Sequence, residues 1–297
     1  MRVSVFPLDK SRSLQQMFIV QILLAVTLTA VSATTSTTSI ATKNGTRILI
    51  LGDSWGTISP ATEFFKKKLT EHNCPLSGFT NIAVGGTTAK QWASGEFLAS
   101  IKKQAPLHDY IWVTLMGNDA LAEMPGCAAS GKSAAACGDE LYQSCSASMN
   151  TIMTAIHSAN PNAHVVGFGY DTMFGGLGCS IFTHMLFPQC WNNKSSTVTP
   201  NRCFNTELVR MQELWERLDM DNEFITAINL LGTTQVAGNV KNSSIGHPNM
   251  DEMGPAKYWP ITLECIHPAM GFGGDTSGAM VIMEEFYKQY WSKVLDC

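Results

Sequence analysis

An α/β domain built on a mostly parallel five-stranded sheet is the fold class this sequence predicts. Three observations lead there: five apolar runs of strand length, helix-like stretches between several of them, and no internal repeat or second domain. The runs are Arg47–Leu51, Phe79–Val84, Tyr110–Met116, His164–Tyr170 and Phe224–Leu231. After its arginine the first is purely Ile and Leu, as suits a strand covered on both faces.

Between the runs, Pro60–Leu69 opens with proline in the first turn and closes on lysines, a helical pattern. Glu140–Ser158 and Asn205–Leu218 carry apolar residues at helical spacing, and Thr276–Leu295 reads as a closing amphipathic helix. Residues 120–140 and 171–204 interrupt the alternation. The first is rich in Ala, Gly and Cys; the second holds three cysteines, Gly175-Gly176 and Trp191 with little periodicity. Loops of such length inside a domain are usually functional or wrongly assigned; both read here as disulfide-pinned insertions over the carboxyl edge of the sheet.

The chain has 297 residues and a formal charge of −4. It shows no basic stripe, so nucleic acid is not an expected partner. Arg2, Lys10 and Arg12 precede the apolar run Phe18–Val31, and Val31-Ser32-Ala33 then supplies small residues. This is the pattern of a secretory signal spanning 1–33 and cleaved near Ala33. About fourteen largely apolar residues are short against the ~20 that span a bilayer. Residues 34–46 read as a flexible polar lead-in, and 47–297 as the folded domain.

All nine cysteines lie beyond that signal, so disulfides in an extracellular protein are expected. Their connectivity stays open; one thiol must be left over, with Cys74 and Cys297 as candidates. No Cys-x-x-Cys pair occurs, and the histidines at 72, 108, 157, 164 and 184 follow no metal-ligand spacing. Neither metal nor cofactor is expected. Asn44, Asn193 and Asn242 open Asn-x-Ser/Thr triplets, acceptors for N-glycans on a eukaryotic secretory route.

The chemistry sits where the apolar runs end. The first delivers Gly52-Asp53-Ser54 to the carboxyl edge of the predicted sheet, where ligands collect in open α/β folds. The second ends near Asn81-Ile-Ala-Val-Gly-Gly86-Thr87 and the third at Met116-Gly117-Asn118-Asp119. Glu264-Cys265-Ile266-His267-Pro268 follows near the C-terminus. A serine needs a positioned base to become a nucleophile, and attack on an ester carbonyl needs N–H donors for the developing oxyanion. Ser54 supplies the hydroxyl and a backbone N–H. Glycine at 86 lets its amide approach a ligand closely, and Asn118 adds side-chain donors.

These four blocks, in this order, resemble the SGNH hydrolases, or GDSL esterase/lipase family, from about Arg47 to the C-terminus. The resemblance implies a flavodoxin-like three-layer α/β/α sandwich and ester hydrolysis through an acyl-enzyme. It implies Ser54 as nucleophile, Ser54, Gly86 and Asn118 as the oxyanion hole, and His267 as general base. Gly86 is chosen over Gly85 because the family's glycine lies five residues after its asparagine, here Asn81. Trp55 stands where the family usually has leucine.

His247-Pro248 offers a second His-Pro pair. His267 is preferred because an acid lies three residues before it and glycines and the closing helix follow, as in the family's last block. That acid is Glu264, where the family usually has aspartate; one more methylene still reaches an imidazole N–H, so Glu264 is expected to orient His267. A backbone carbonyl in that role is the alternative. Cys265 reads as a disulfide anchor.

The expected substrate is a carboxylic ester: an acyl lipid, an acetylated polysaccharide or a small ester. A lipid surface enters only as substrate, and the sequence does not set an oligomeric state. Met173, Phe174, Leu177, Phe182, Met185, Leu186 and Phe187 would line an acyl pocket or fill the core, and Trp55 and Trp92 suit stacking on sugars. An acyltransferase on the same machinery, or a secreted binding protein with an inactive site, is the alternative function.

Overall fold

The protein's structure is a computed structural model that describes residues 46–57, 59–74, 76–172, 190, 198–255, 258 and 278–295. The expected signal 1–33 lies outside the described residues, as does the lead-in up to residue 45.

Strands β1 (Thr46–Gly52), β2 (Leu76–Asn81), β3 (Tyr110–Thr114), β4 (His164–Gly167) and β5 (Ile225–Ala227) form one sheet. Every pairing is parallel, in the order β2-β1-β3-β4-β5. The chain steps from β1 out to β2 on one side, then crosses back past β1 to β3 and on to β4 and β5 on the other. That reversal opens a crevice at the carboxyl ends of β1 and β3.

Ile48, Leu49, Ile50 and Leu51 are all fully buried, which explains why β1 is apolar without alternation. Register places Ile50, Trp112 and Val166 on one face, and Leu51, Val113 and Gly167 on the other. The first face meets α2 (Ser59–Glu71) and the C-terminal helix Gly278–Phe286: Trp112 lies 5.6 Å from the Phe65 ring and 5.2 Å from Phe286. The second face meets the helix Pro200–Asp221, whose fully buried Trp215 stacks directly over Gly167.

A Cβ at residue 167 would lie 2.2 Å from that indole. Gly167→Ala is therefore expected to destabilise the fold by about 3 kcal/mol through overpacking, read as a lowered Tm. An unchanged Tm would mean that the indole is free to move.

Among the described residues the helices in chain order are α1 (Ser54–Thr57), α2, α3 (Ala89–Trp92), α4 (Gly95–Gln104), α5 (Gly117–Ala129), α6 (Ala134–Ala159), α7 (Pro200–Asp221), α8 (Thr233–Ala237), α9 (Gly278–Phe286) and α10 (Ser292–Val294). Three N-termini are capped by side chains: Thr88 by a capping box with Gln91, Ser133 to Ala136 N–H, and Thr199 to Arg202 N–H. Pro200 sits in the first turn of α7, where its missing N–H costs nothing.

Three expectations are corrected. Residues 120–140 are not a loop: α5 and α6 take all but 130–133, and the Cys127–Cys137 disulfide ties the last turn of α5 to the first turn of α6. Alanine, the best helix former, dominates that stretch. Within 171–204, Pro200 to Phe204 already belong to α7, and a disulfide joins Cys190 to Cys203 in its first turn; 173–189 and 191–197 lie outside the described residues.

The third correction concerns the spare thiol. Cys74 is disulfide-bonded, and among the described residues Cys145 is the free cysteine. It falls on the inner stripe of α6 with Cys137, Leu141, Met149 and Ile152, so it packs as a small apolar side chain. Burial pushes its thiol pKa far up. Cys297 lies outside the described residues.

Strand two is displaced from the expected Phe79–Val84. Its ladder nonetheless runs on, because Ile82 N–H donates to Ile50 O at 2.9 Å and Val84 N–H to Gly52 O at 2.8 Å. Asn81 bends the backbone there by accepting Ala83 N–H on its own side chain. After α9 the chain widens into a π turn over Tyr287–Trp291. Among the described residues, no helix is long and apolar enough to cross a membrane.

Candidate active site

The site begins at the close approach of β1 to β3. Gly52 has φ 132°, and a Cβ there would lie 2.0 Å from Thr114 O, so only glycine fits. Freed of that clash, Asp53 N–H donates to Thr114 O at 2.7 Å, and the chain turns into α1 with Ser54 as its first residue. Ser54 is half-buried. Asn81 fastens α1 from the side, its Nδ2 donating to Gly56 O at 2.7 Å. Gly56 in turn lies against Ala83 and Ile50.

The second strand end brings the Gly85–Gly86 turn alongside. A Cβ on Gly85 would stand 3.9 Å from Ser54 Cβ, so this turn runs beside the serine with room for no more than a methyl group between them. Gly86 has φ 79°, the left-handed region that favours glycine. Thr87 ties the turn to the sheet, its hydroxyl lying 2.7 Å from Val84 O and 3.1 Å from Gly52 O. It also accepts the Trp92 indole N–H at 2.8 Å.

The third strand end supplies Asn118. Its Nδ2 donates to Thr87 O at 3.0 Å, which uses one of its two N–H bonds and ties it to the glycine turn. Before it, Met116 is buried with φ 93°, a strained conformation for a non-glycine residue. After it, Asp119 accepts the N–H groups of Ala89 and Lys90 at 2.8 and 3.3 Å.

The buried acids are held neutral-leaning by desolvation. Burial raises the Asp53 carboxyl to about 7, against the bonds it accepts from Tyr170 and Trp55 and with help from the charge of Asp119. Asp119 is raised by burial too, against its two backbone bonds. Asp53 at about 7 lies above the ~3.9 of an unfolded aspartate. Its contribution to stability is therefore full below ~pH 4 and declines as pH rises, to vanish above about 7. Asp53→Asn, which stays neutral, is expected to gain in Tm relative to wild type between pH 5 and pH 8. A difference constant across that range would refute the raised carboxyl.

Ser54, the Gly85–Gly86 turn and Asn118 thus stand at one edge of the sheet. Glu264, Cys265 and His267 lie outside the described residues, as does the apolar cluster from Met173 to Phe187. Trp55 and Trp92 are corrected: at 3% and 0% exposure they are core residues, unavailable for stacking on a sugar. Trp55 packs edge-on against Phe168 and Tyr170, and Trp92 against Phe97. His247 is exposed and closes a small turn with Ser244. Asn242 is exposed in a left-handed turn; Asn44 and Asn193 lie outside the described residues.

Sequence reasoning passed over Tyr170, Thr87, Thr114 and Asp119, which hold the strand ends together. Thr87 and Asp119 carried a signal, as the last residues of the Asn81–Thr87 and Met116–Asp119 blocks, though neither was given a role. Among the described residues, no group of three His, Cys, Asp or Glu is placed to hold a metal ion.

No protein-family model and no curated protein sequence matches this chain. Solved structures do. A lipase from a goat rumen metagenome superposes with a TM-score of 0.52 at 13% identity, covering 83% of this chain and 98% of that one. A Parabacteroides merdae protein described as GDSL-lipase-like gives 0.50 at 14% identity, covering 84% of this chain and 97% of that one. At these identities the likeness is one of fold: a five-stranded parallel sheet with flanking helices.

Proposed function

We propose that the protein is a secreted serine esterase that cleaves carboxylic esters through an acyl-enzyme. Ser54 Oγ attacks the ester carbonyl while His267 takes its proton, and Glu264 holds the imidazole in the required tautomer. The oxyanion accepts hydrogen bonds from the backbone N–H groups of Ser54 and Gly86 and from the second N–H of Asn118 Nδ2. Collapse expels the alcohol, which leaves with the proton from His267. Water then attacks the acyl-serine with His267 as base, releasing the acid and restoring Ser54. The steps as drawn use no cofactor.

One observation carries the reading: the serine, the glycine turn and the asparagine amide share the edge where β1 and β3 diverge. The fold's likeness to lipases supports it. Two disulfides among the described residues support an oxidising compartment. An acyl lipid, an acetylated polysaccharide or a small ester serves as substrate.

The test is intact mass after fluorophosphonate treatment, alongside hydrolysis of aryl esters. A single adduct on the oxidised wild type, formed much more slowly by His267→Ala, is expected. An unmodified wild type with no esterase activity would overturn the proposal.

A further inference from the structure

We infer that Tyr170 and Asp53 form a positioning pair that sets Ser54 and Asn118 relative to each other. The inference rests on the esterase reading above and assigns residues to it that the sequence motifs leave without a role.

Tyr170 comes from the segment after β4, far in sequence from both residues it serves. Its hydroxyl donates to Asp53 Oδ2 at 2.8 Å, while Asp53 Oδ1 accepts the Trp55 N–H at 3.0 Å. One carboxylate thus brackets the serine. It belongs to the residue before Ser54 and holds the amide of the residue after it, so the direction of the first turn of α1 depends on where that carboxylate sits. Tyr170 fixes it from behind.

The same ring touches the other half of the site. It packs edge-on against Trp55, with centroids 6.0 Å apart at 86°. It also occupies the space a side chain at residue 117 would need: a Cβ there would lie 2.1 Å from Tyr170 Cζ. Gly117 immediately precedes Asn118, and the strained backbone of Met116 leads into it. One aromatic ring is therefore wedged between the neighbour of the nucleophile and the neighbour of the oxyanion donor.

Both members of the pair are buried, Asp53 at 0% and Tyr170 at 6% exposure, so they act through Ser54 and Asn118. The groups facing Asp53 are the Tyr170 hydroxyl, the Trp55 N–H and Thr114, with Asp119 acting as the other charge. Misplacing a reacting group by about 1 Å costs on the order of a hundredfold in rate, so a bracket of this kind has a measurable effect.

The test compares wild type, Tyr170→Phe, Asp53→Ala, Asp53→Asn and the Asp53→Ala/Tyr170→Phe double variant as full oxidised chains. It reads the fluorophosphonate inactivation rate, kcat and KM on an aryl acetate, and Tm. Tyr170→Phe and Asp53→Ala are expected to lose about ten- to a hundredfold in kcat and inactivation rate, with KM within about threefold.

Asp53→Asn is expected to recover most of what Asp53→Ala loses. Its amide can still accept the Trp55 N–H and donate to the Tyr170 oxygen. The double variant is expected to lose much less than the product of its singles' effects, since the two residues act as a unit. Wild-type rates in a folded Tyr170→Phe would overturn the inference. So would an Asn variant no better than the Ala variant, or effects that multiply. A wild type that takes no adduct fails at the earlier step and removes the esterase reading itself.

Discussion

Ser54→Ala is expected to abolish fluorophosphonate labelling and to lower kcat on an aryl ester by at least ~10⁴-fold, the scale seen when an acyl-enzyme nucleophile is removed. The reason is local. In the proposed mechanism this hydroxyl forms the acyl bond, and its two chain neighbours, Asp53 and Trp55, are buried. The substitution leaves the backbone of α1 and its Asn81 tie to Gly56 in place. Its Tm should therefore stay close to wild type, so that lost activity cannot be traced to unfolding. Equal labelling of wild type and variant, or retained turnover, would place the chemistry elsewhere.

Asn118→Ala is expected to cost about 10²- to 10³-fold in kcat, the usual effect of removing one oxyanion donor. KM should change little, because a bond from an oxyanion donor to the substrate oxygen would strengthen only as charge develops. The side chain also donates to Thr87 O at 3.0 Å. A modest fall in Tm from that lost bond, about 1 kcal/mol, is expected beside the kinetic effect. If kcat holds while Tm falls, Asn118 is a tie between strand ends and the oxyanion must be met by other donors.

Much of the fold was legible because the underlying patterns are local. The β1 run is apolar on both faces because both faces are covered, and this is readable without knowing what covers it. The helical stripe of α6 was visible from Glu140 on; its first turn was not, because a cluster of cysteine, glycine and alanine resembles a loop until the disulfide and the Ser133 cap are seen. Strand two was misplaced by a few residues for a related reason. Asn81 turns the backbone by a side-chain bond, while the ladder to β1 continues through Val84.

At the site, the sequence determined which residue types stand at three strand ends: a serine after Gly52, glycines at 85 and 86, and an asparagine after Gly117. Those follow from chain order, since each lies within a few residues of an apolar run. Only the tertiary structure decided how the ends are held. Tyr170 reaches Asp53 across 117 positions of sequence, and Thr114 takes the Asp53 amide across 61. Contacts over such distances leave no periodic trace, because nothing local constrains a tyrosine that is chosen for the shape of a gap. Trp55 and Trp92 make the same point in reverse. Their neighbours in sequence suggested a sugar platform, and packing from distant or buried partners turned both rings into the core.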